Sequence, residues 1–204
     1  ADSYMPVFLA GASLAKSIAS ALRVPLMETT HQQGHVRAAL VGSPLKDDFL
    51  AIHLSGGTTE LLKVSEGLSI DLLGGTADIS AGQLVDRVGV ALGLSFPAGP
   101  HLEALAIRGE ARASLPASVS CLSCSFSGAE AQVMRMIQAG AKPENLAAEV
   151  YSLLARTLAR LLSQAASETG LQDVLLAGGV ASSALLRALL PERLKKMNDS
   201  IRIH

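Results

Sequence analysis

The sequence has no tryptophan, two tyrosines and four phenylalanines in 204 residues, so it offers no row of aromatic rings on which to stack the bases of a single nucleic-acid strand. Cysteine is almost as scarce. Cys121 and Cys124 form a lone CLSC, with no second pair or neighbouring histidine to complete a zinc ribbon and too few thiols for a disulfide-stapled scaffold. They read as small, semi-buried residues of a loop or strand. An excess of one charge is also missing: 17 Lys and Arg face 18 Asp and Glu, a formal net charge of -1, which argues against strong phosphate-backbone binding by overall charge and leaves only a local basic patch open. Residues 1–26 are rich in Ala, Leu and Ser, but the opening ADSYMP carries no basic stretch and Lys16 and Arg23 interrupt the apolar run. That segment is expected to be a packed helix, neither a signal peptide nor a membrane span. What the chain does have is 49% hydrophobic residues, enough to bury a core as one large domain or two small ones.

Apolar and small positions recur at helical spacing over 7–22, with Lys16 on the opposite face and Pro25 beyond the end. A second helix is predicted over 31–41, with Thr30 as N-cap. FLAIHLSGGTTELLKVSEGLSIDLLGG then reads as consecutive strands with glycine at the turns. Helical period returns over 79–92, 101–108 and 129–139, and a short extended piece is expected at SVSCLSCSFSG. A long helix over 144–168 starts after Pro143 and ends at Gly170, its apolar face made by Leu146, Val150, Leu153, Leu154, Leu158 and Leu161. DVLLAGGV reads as a buried strand entering a glycine turn, followed by a helix over 182–196. Strands alternating with helices of crossover length make the fold class α/β.

Three groups of residues carry chemistry. His31 and His35, four apart in HQQGH, share a helical face and read either as half of a divalent-metal site or as an unliganded pair. The motif lacks the glutamate that a zinc-peptidase helix uses as its base, which disfavours hydrolytic zinc chemistry. Gly-Gly pairs at 56–57, 74–75 and 178–179 read either as plain turns or as turns whose bare backbone N–H groups cradle phosphate oxygens in a nucleotide cleft, and none fits a Walker or dinucleotide fingerprint. Asp86, inside a predicted helix, reads either as a solvated or salt-bridged carboxylate beside Arg87 or as an acceptor for ligand hydroxyls; Gly99, in FPAGP, permits close approach of a ligand or simply makes a turn.

In order, HQQGH, HLSGGTTEL, GGTADISAGQLVDRVGVALGLSFPAGP, SFSG and LLAGGVASSALLR resemble the tRNA threonylcarbamoyladenosine transferase family, once labelled O-sialoglycoprotein endopeptidases. The resemblance runs through nearly the whole chain. It implies an actin, sugar-kinase and Hsp70 type of fold, two ribonuclease-H-like lobes around a nucleotide cleft, and transfer of threonylcarbamoyl from threonylcarbamoyl-adenylate to N6 of tRNA adenosine 37. By similarity His31 and His35 hold a divalent metal, iron or zinc. Ser55, Gly56 and Gly57 lie around the acyl-phosphate, and Asp86 and Gly99 contact the ligand, which is ATP or the adenylate. Gly178 and Gly179 belong to the Ala-Gly-Gly turn at the nucleotide.

Departures from the family pattern shape the remaining expectations. Ser183 stands where the family has an adenosine-contacting Asn, Glu130 where a basic residue is usual two places after SFSG, and Thr58 where the family has His or Asn. Residues 1–45 are expected to be the remainder of a first lobe and 46–204 the second, with the family's third metal ligand lying beyond DSIRIH. Two readings of different class stay open: a piece of a true transferase, expected to be inactive alone, or a divergent relative that binds a nucleotide or partner without transfer. A metallopeptidase is a distant third. Expected partners are tRNA, the accessory subunits of the modification complex, or a second copy covering an open sheet edge; the expected location is cytoplasmic.

Overall fold

The computed structural model describes residues 6–46, 48–112 and 115–204, and the side chains of 6–8 and of His31 lie outside that description. The chain divides into two compact units, residues 1–31 and 32–204. The first contains one helix, α1 (Pro6–Leu22), which closes with Arg23 in a left-handed conformation. No described helix is long and apolar enough to cross a membrane.

The second unit is a seven-stranded sheet with helices on both faces. Its strands are β1 (Phe49–Leu54), β2 (Thr59–Ser65), β3 (Ser69–Thr76), β4 (Ser118–Ser120), β5 (Ser123–Ser125), β6 (Asp173–Ala177) and β7 (Arg202–Ile203), in the spatial order β4-β5-β3-β2-β1-β6-β7. β1, β2 and β3 form an antiparallel meander, as their glycine-separated apolar runs predict, and β6 joins β1 in parallel with Ala51 opposite Leu175. The helices are α2 (His31–Leu40), α3 (Ala81–Ala91), α4 (Gly99–Ala106), α5 (Ser127–Gln138), α6 (Pro143–Thr169) and α7 (Ala184–Lys195).

Every residue of β1 is buried, because the alternating side chains of FLAIHL meet a different core on each face. Leu50, Ile52 and Leu54 join the large core with Leu153, Leu154 and Leu158 of α6, whereas Phe49 and Ala51 join a small one with Val36 of α2, Leu62, Val64 and Leu175. α6 begins with Pro143 in its first turn and ends at Gly170 with φ 76°, as its flanking residues predict. Its six expected apolar residues are all buried.

One expectation changes. The second Gly-Gly pair is no turn. Gly74 and Gly75 lie within β3, where the Leu122 carbonyl comes so close that a Cβ on Gly74 would fall 1.8 Å from its oxygen, and Gly75 N–H donates to the same carbonyl at 3.0 Å. Val36 of α2 is fully buried with sheet residues of the second compact unit. CLSC forms the β4–β5 hairpin: Cys121 is exposed at the turn with φ 48°, Cys124 is buried in β5, and both thiols are free. Burial pushes the Cys124 thiol up to about 11, with the nearby Asp78 charge also raising it against a lowering hydrogen bond from Thr76.

Candidate functional site: a cleft at the ends of two parallel strands

β1 and β6 run in parallel and therefore release their following turns at the same edge of the sheet, the place where open α/β sheets bind ligands. A cleft of about 390 Å³ lies there. Its walls come from the turn after β1 through Gly56, from α3 through Val85 and Asp86, and from the loop entering α4 through Phe96, Pro97 and Gly99. Glu103 of α4, Tyr151 of α6, Gly179 after β6, and Val180, Ser182 and Ser183 before α7 complete it.

Local hydrogen bonds fix these elements. The Ser55 hydroxyl accepts from the backbone N–H groups of Gly57 and Thr58 at 3.3 and 3.0 Å and bonds the Thr58 hydroxyl at 2.8 Å, drawing the turn together. α3 is tied to this turn, since Ser80 donates to the Gly56 carbonyl at 2.8 Å while a Ser80–Gln83 capping box starts the helix. After β6, Gly178 takes φ 98°, and a Cβ there would fall 2.3 Å from the Leu54 carbonyl oxygen. Glycine is required at that position.

The polar groups inside the cleft are few and oriented. Asp86 Oδ1 accepts from the Ala98 N–H at 2.8 Å, which holds the Phe96–Gly99 loop, and no hydrogen bond to Oδ2 is present among the described residues. Glu103 Oε1 accepts from the Leu185 N–H at 2.7 Å, in the first turn of α7, where the helix dipole favours a carboxylate. Ser183 is the N-cap of that helix, accepting from the Leu186 N–H at 3.1 Å. The Tyr151 hydroxyl donates to the Gly99 carbonyl at 3.2 Å. Burial, the charges of Glu103 and then Asp86 push the phenol above its ordinary range despite a hydrogen bond with Ser183, so it stays a proton donor.

Of the residues singled out in the sequence, Gly56, Asp86, Gly99, Gly179 and Ser183 meet in the cleft. Ser55, Gly57 and Gly178 do not line it; they shape the turns that do. Sequence reading missed Glu103, one helical turn after Gly99, and Tyr151, which sits within the apolar run of α6. It also missed Asp78, whose carboxylate accepts from the backbone N–H groups of Phe126 and Ser127, from the hydroxyls of Ser125 and Ser127, and from Thr76, joining the end of β3 to the start of α5. Burial works to raise this carboxyl's pKa, but the Phe126 N–H and the serine donors outweigh it and hold the group far below the usual carboxylate range.

His35 of the histidine motif does not line the cleft. His35 stacks on His53 of β1 with ring centroids 4.4 Å apart and planes tilted by 33°; His53 Nδ1 is 3.2 Å from the Thr58 hydroxyl and 3.5 Å from Glu60 Oε2. The His31 half of the proposed pair lies outside the described side chains. Among the described residues, which leave out the His31 side chain, no group of three His, Cys, Asp or Glu side chains is arranged to hold a metal ion.

Similarity to known proteins agrees with this architecture. A full-length HypF, solved in a phosphate- and nucleotide-bound form, superposes with a TM-score of 0.76 at 14% identity, over 92% of this chain and 41% of that one. The activator of the 2-hydroxyisocaproyl-CoA dehydratase from Clostridium difficile, solved with bound ADPNP, gives 0.53 at 17% identity, over 84% and 58%. At these identities the likeness is one of fold, and it is consistent with the actin and Hsp70 type. The tRNA N6-adenosine threonylcarbamoyltransferase of Geobacillus kaustophilus is 36% identical over 200 residues, 94% of this chain and 58% of that protein. The Bordetella bronchiseptica enzyme of the same description is 34% identical over 203 residues, 93% and 59%. The chain thus spans about three-fifths of the length of these curated relatives. With residues 5–202 matching its pattern, the chain belongs to the tRNA N6-adenosine threonylcarbamoyltransferase family, TsaD.

Proposed function

We propose that the cleft seats an adenosine nucleotide, threonylcarbamoyl-adenylate during the reaction, and that this segment supplies the adenylate-holding wall for threonylcarbamoyl transfer to N6 of tRNA adenosine 37. The observation that carries the reading is the convergence of Asp86, Glu103 and Tyr151 in one apolar cleft between the Gly56 and Gly179 turns. Val85, Phe96, Pro97 and Val180 offer apolar surface for a purine, and two carboxylates offer acceptors for ribose hydroxyls. The open backbone at Gly56 suits the phosphate end. That the HypF and dehydratase-activator structures were solved with nucleotide bound supports a nucleotide reading for a chain of this fold.

In the reaction so read, the N6 amine attacks the carbamoyl carbon, a C–N bond forms, the C–O bond to phosphate breaks, and AMP leaves as the amine gives up a proton. The contribution of this chain is to fix the adenylate so that the carbonyl meets the amine in register, where a small displacement is costly. tRNA and accessory subunits are the partners of this proposal. Two measurements test it: calorimetry with adenine, adenosine and AMP, and mass-spectrometric detection of the modified nucleoside after incubation with tRNA, threonylcarbamoyl-adenylate and accessory subunits. Adenosine binding more tightly than adenine, together with product, is the expected result. Nucleotide binding without product favours a binding module; no nucleotide binding overturns both readings.

A further inference from the structure

Beyond Gly56 the cleft continues into a second, more open groove of about 630 Å³ that shares Gly56, Asp86 and Phe96 with it and reaches α5. Gln83, Asp86, Arg87 and Val90 of α3 line one side, at spacings that place them along one helical face, and Glu130 and Met134 of α5 line the other. Arg87 Nη1 lies 3.2 and 3.3 Å from the two carboxylate oxygens of Glu130, bridging the groove. The Arg87 side chain is half exposed and Glu130 is 17% exposed, so the arginine end of the pair faces solvent. Among the described residues lining either the cleft or the groove, Arg87 is the only cation; Asp86, Glu103 and Glu130 are the anions.

We propose that the Arg87–Glu130 pair is a charge-selective rim, in which Arg87 is the side chain that meets the anionic tail of a nucleotide in the cleft and Glu130 competes for it. The inference rests on the nucleotide reading of the cleft and assigns the determinant of its preference among phosphate chain lengths. An ion pair open to water is weakly held and screened by salt. A terminal phosphate entering past Gly56 offers the planar guanidinium two oxygens for a doubly hydrogen-bonded pair, at higher charge than a carboxylate. Exchange of Glu130 for phosphate on Arg87 therefore needs no backbone movement, only rotation of a half-exposed side chain. With Arg87 and Glu130 neutralising each other, the lining is left with two uncompensated carboxylates, Asp86 and Glu103, and each added phosphate enters an unfavourable field. The pair thus works against longer phosphate chains unless Arg87 is released.

The test is calorimetry of adenosine, AMP and ATP on the 204-residue chain, its Glu130→Gln and Arg87→Gln variants and the double variant, read as the ratio of ATP to adenosine affinity. Removing the competing carboxylate is expected to raise that ratio about threefold to tenfold in Glu130→Gln, with a steeper loss on adding salt. Arg87→Gln is expected to lower it about threefold or more, and the double variant to match Arg87→Gln. A ratio unmoved by Glu130→Gln, or raised equally with and without Arg87, overturns the rim while leaving the cleft reading intact. Failure of the unaltered chain to bind any of the three ligands overturns the cleft reading and the rim with it. If Arg87→Gln loses its fold, seen as a lost thermal transition, the Glu130→Gln ratio and its salt slope decide the matter without it.

Discussion

One strand serves two unlike surfaces. Toward α6, Leu50, Ile52 and Leu54 of β1 enter the large core, and the turn that follows opens into the cleft; toward α2, Phe49 and Ala51 enter a small cluster, near which His53 meets His35. The first face combines deep apolar packing with a few polar groups held at its rim. The second combines a short helix with a stacked histidine pair. The oriented acceptors gather where helices converge on a sheet edge, and none of the residues described around His35 lines that cleft.

The largest expected effect sharpens this contrast in stability. Ile52→Ala, in the large core, is expected to lower unfolding free energy by about 2–5 kcal/mol. Val36→Ala, in the small one, removes two methyl groups from fewer neighbours and is expected to cost about 1–2 kcal/mol. Urea unfolding of both variants measures the difference, and equal losses would mean the two faces are equally built.

Next comes Asp78, which anchors the wall leading from β3 to α5. Asp78→Ala removes a cap from the N-terminus of α5 and is expected to cost about 1–2 kcal/mol at neutral pH. Because its folded carboxyl is held below the unfolded value of 3.8, the stability it contributes is present above that value and fades as pH falls below it. The unaltered chain and the variant should therefore converge in stability on acidification. A gap that stays constant as the pH is carried from neutral to well below 3.8 would assign the loss to packing instead of the carboxylate.

A smaller change is expected inside the cleft. Asp86→Asn keeps an oxygen for the Ala98 N–H but gives up the charged acceptor, and it should weaken adenosine binding about tenfold with little change in melting temperature. The smallest effect belongs to the other face. His35→Ala removes a ring contact from a partly exposed helix position and is expected to alter stability by under about 1 kcal/mol and adenosine affinity by less than about twofold. A tenfold loss of affinity in this variant would show that the two faces are coupled.

The sequence made some of this legible. The meander, the long α6 and the glycine turns at 56 and 178 follow from apolar period and punctuation, and Asp86 and Gly99 stand in motifs whose order resembles the family. Glu103 and Tyr151 were not legible, because a carboxylate in a short helix and a tyrosine in an apolar run gain their meaning only when α4 and α6 meet at the same edge. Gly74 and Gly75 look like the other Gly-Gly pairs locally, and the difference comes from a carbonyl 48 residues away in sequence. β7 pairs through only two residues, too few for a period to show. Asp78 draws its donors from a segment distant in sequence, which spacing cannot reveal.

The most direct test of the account is an amide chemical-shift titration of the 204-residue chain with adenosine. The account predicts shifts concentrated at Gly56, Ala98 and Gly99, and Gly179 through Ser183, with Gln33 through Val36 unmoved. Saturating adenosine that leaves the first set in place, or that moves only the residues around His35 and His53, would contradict it.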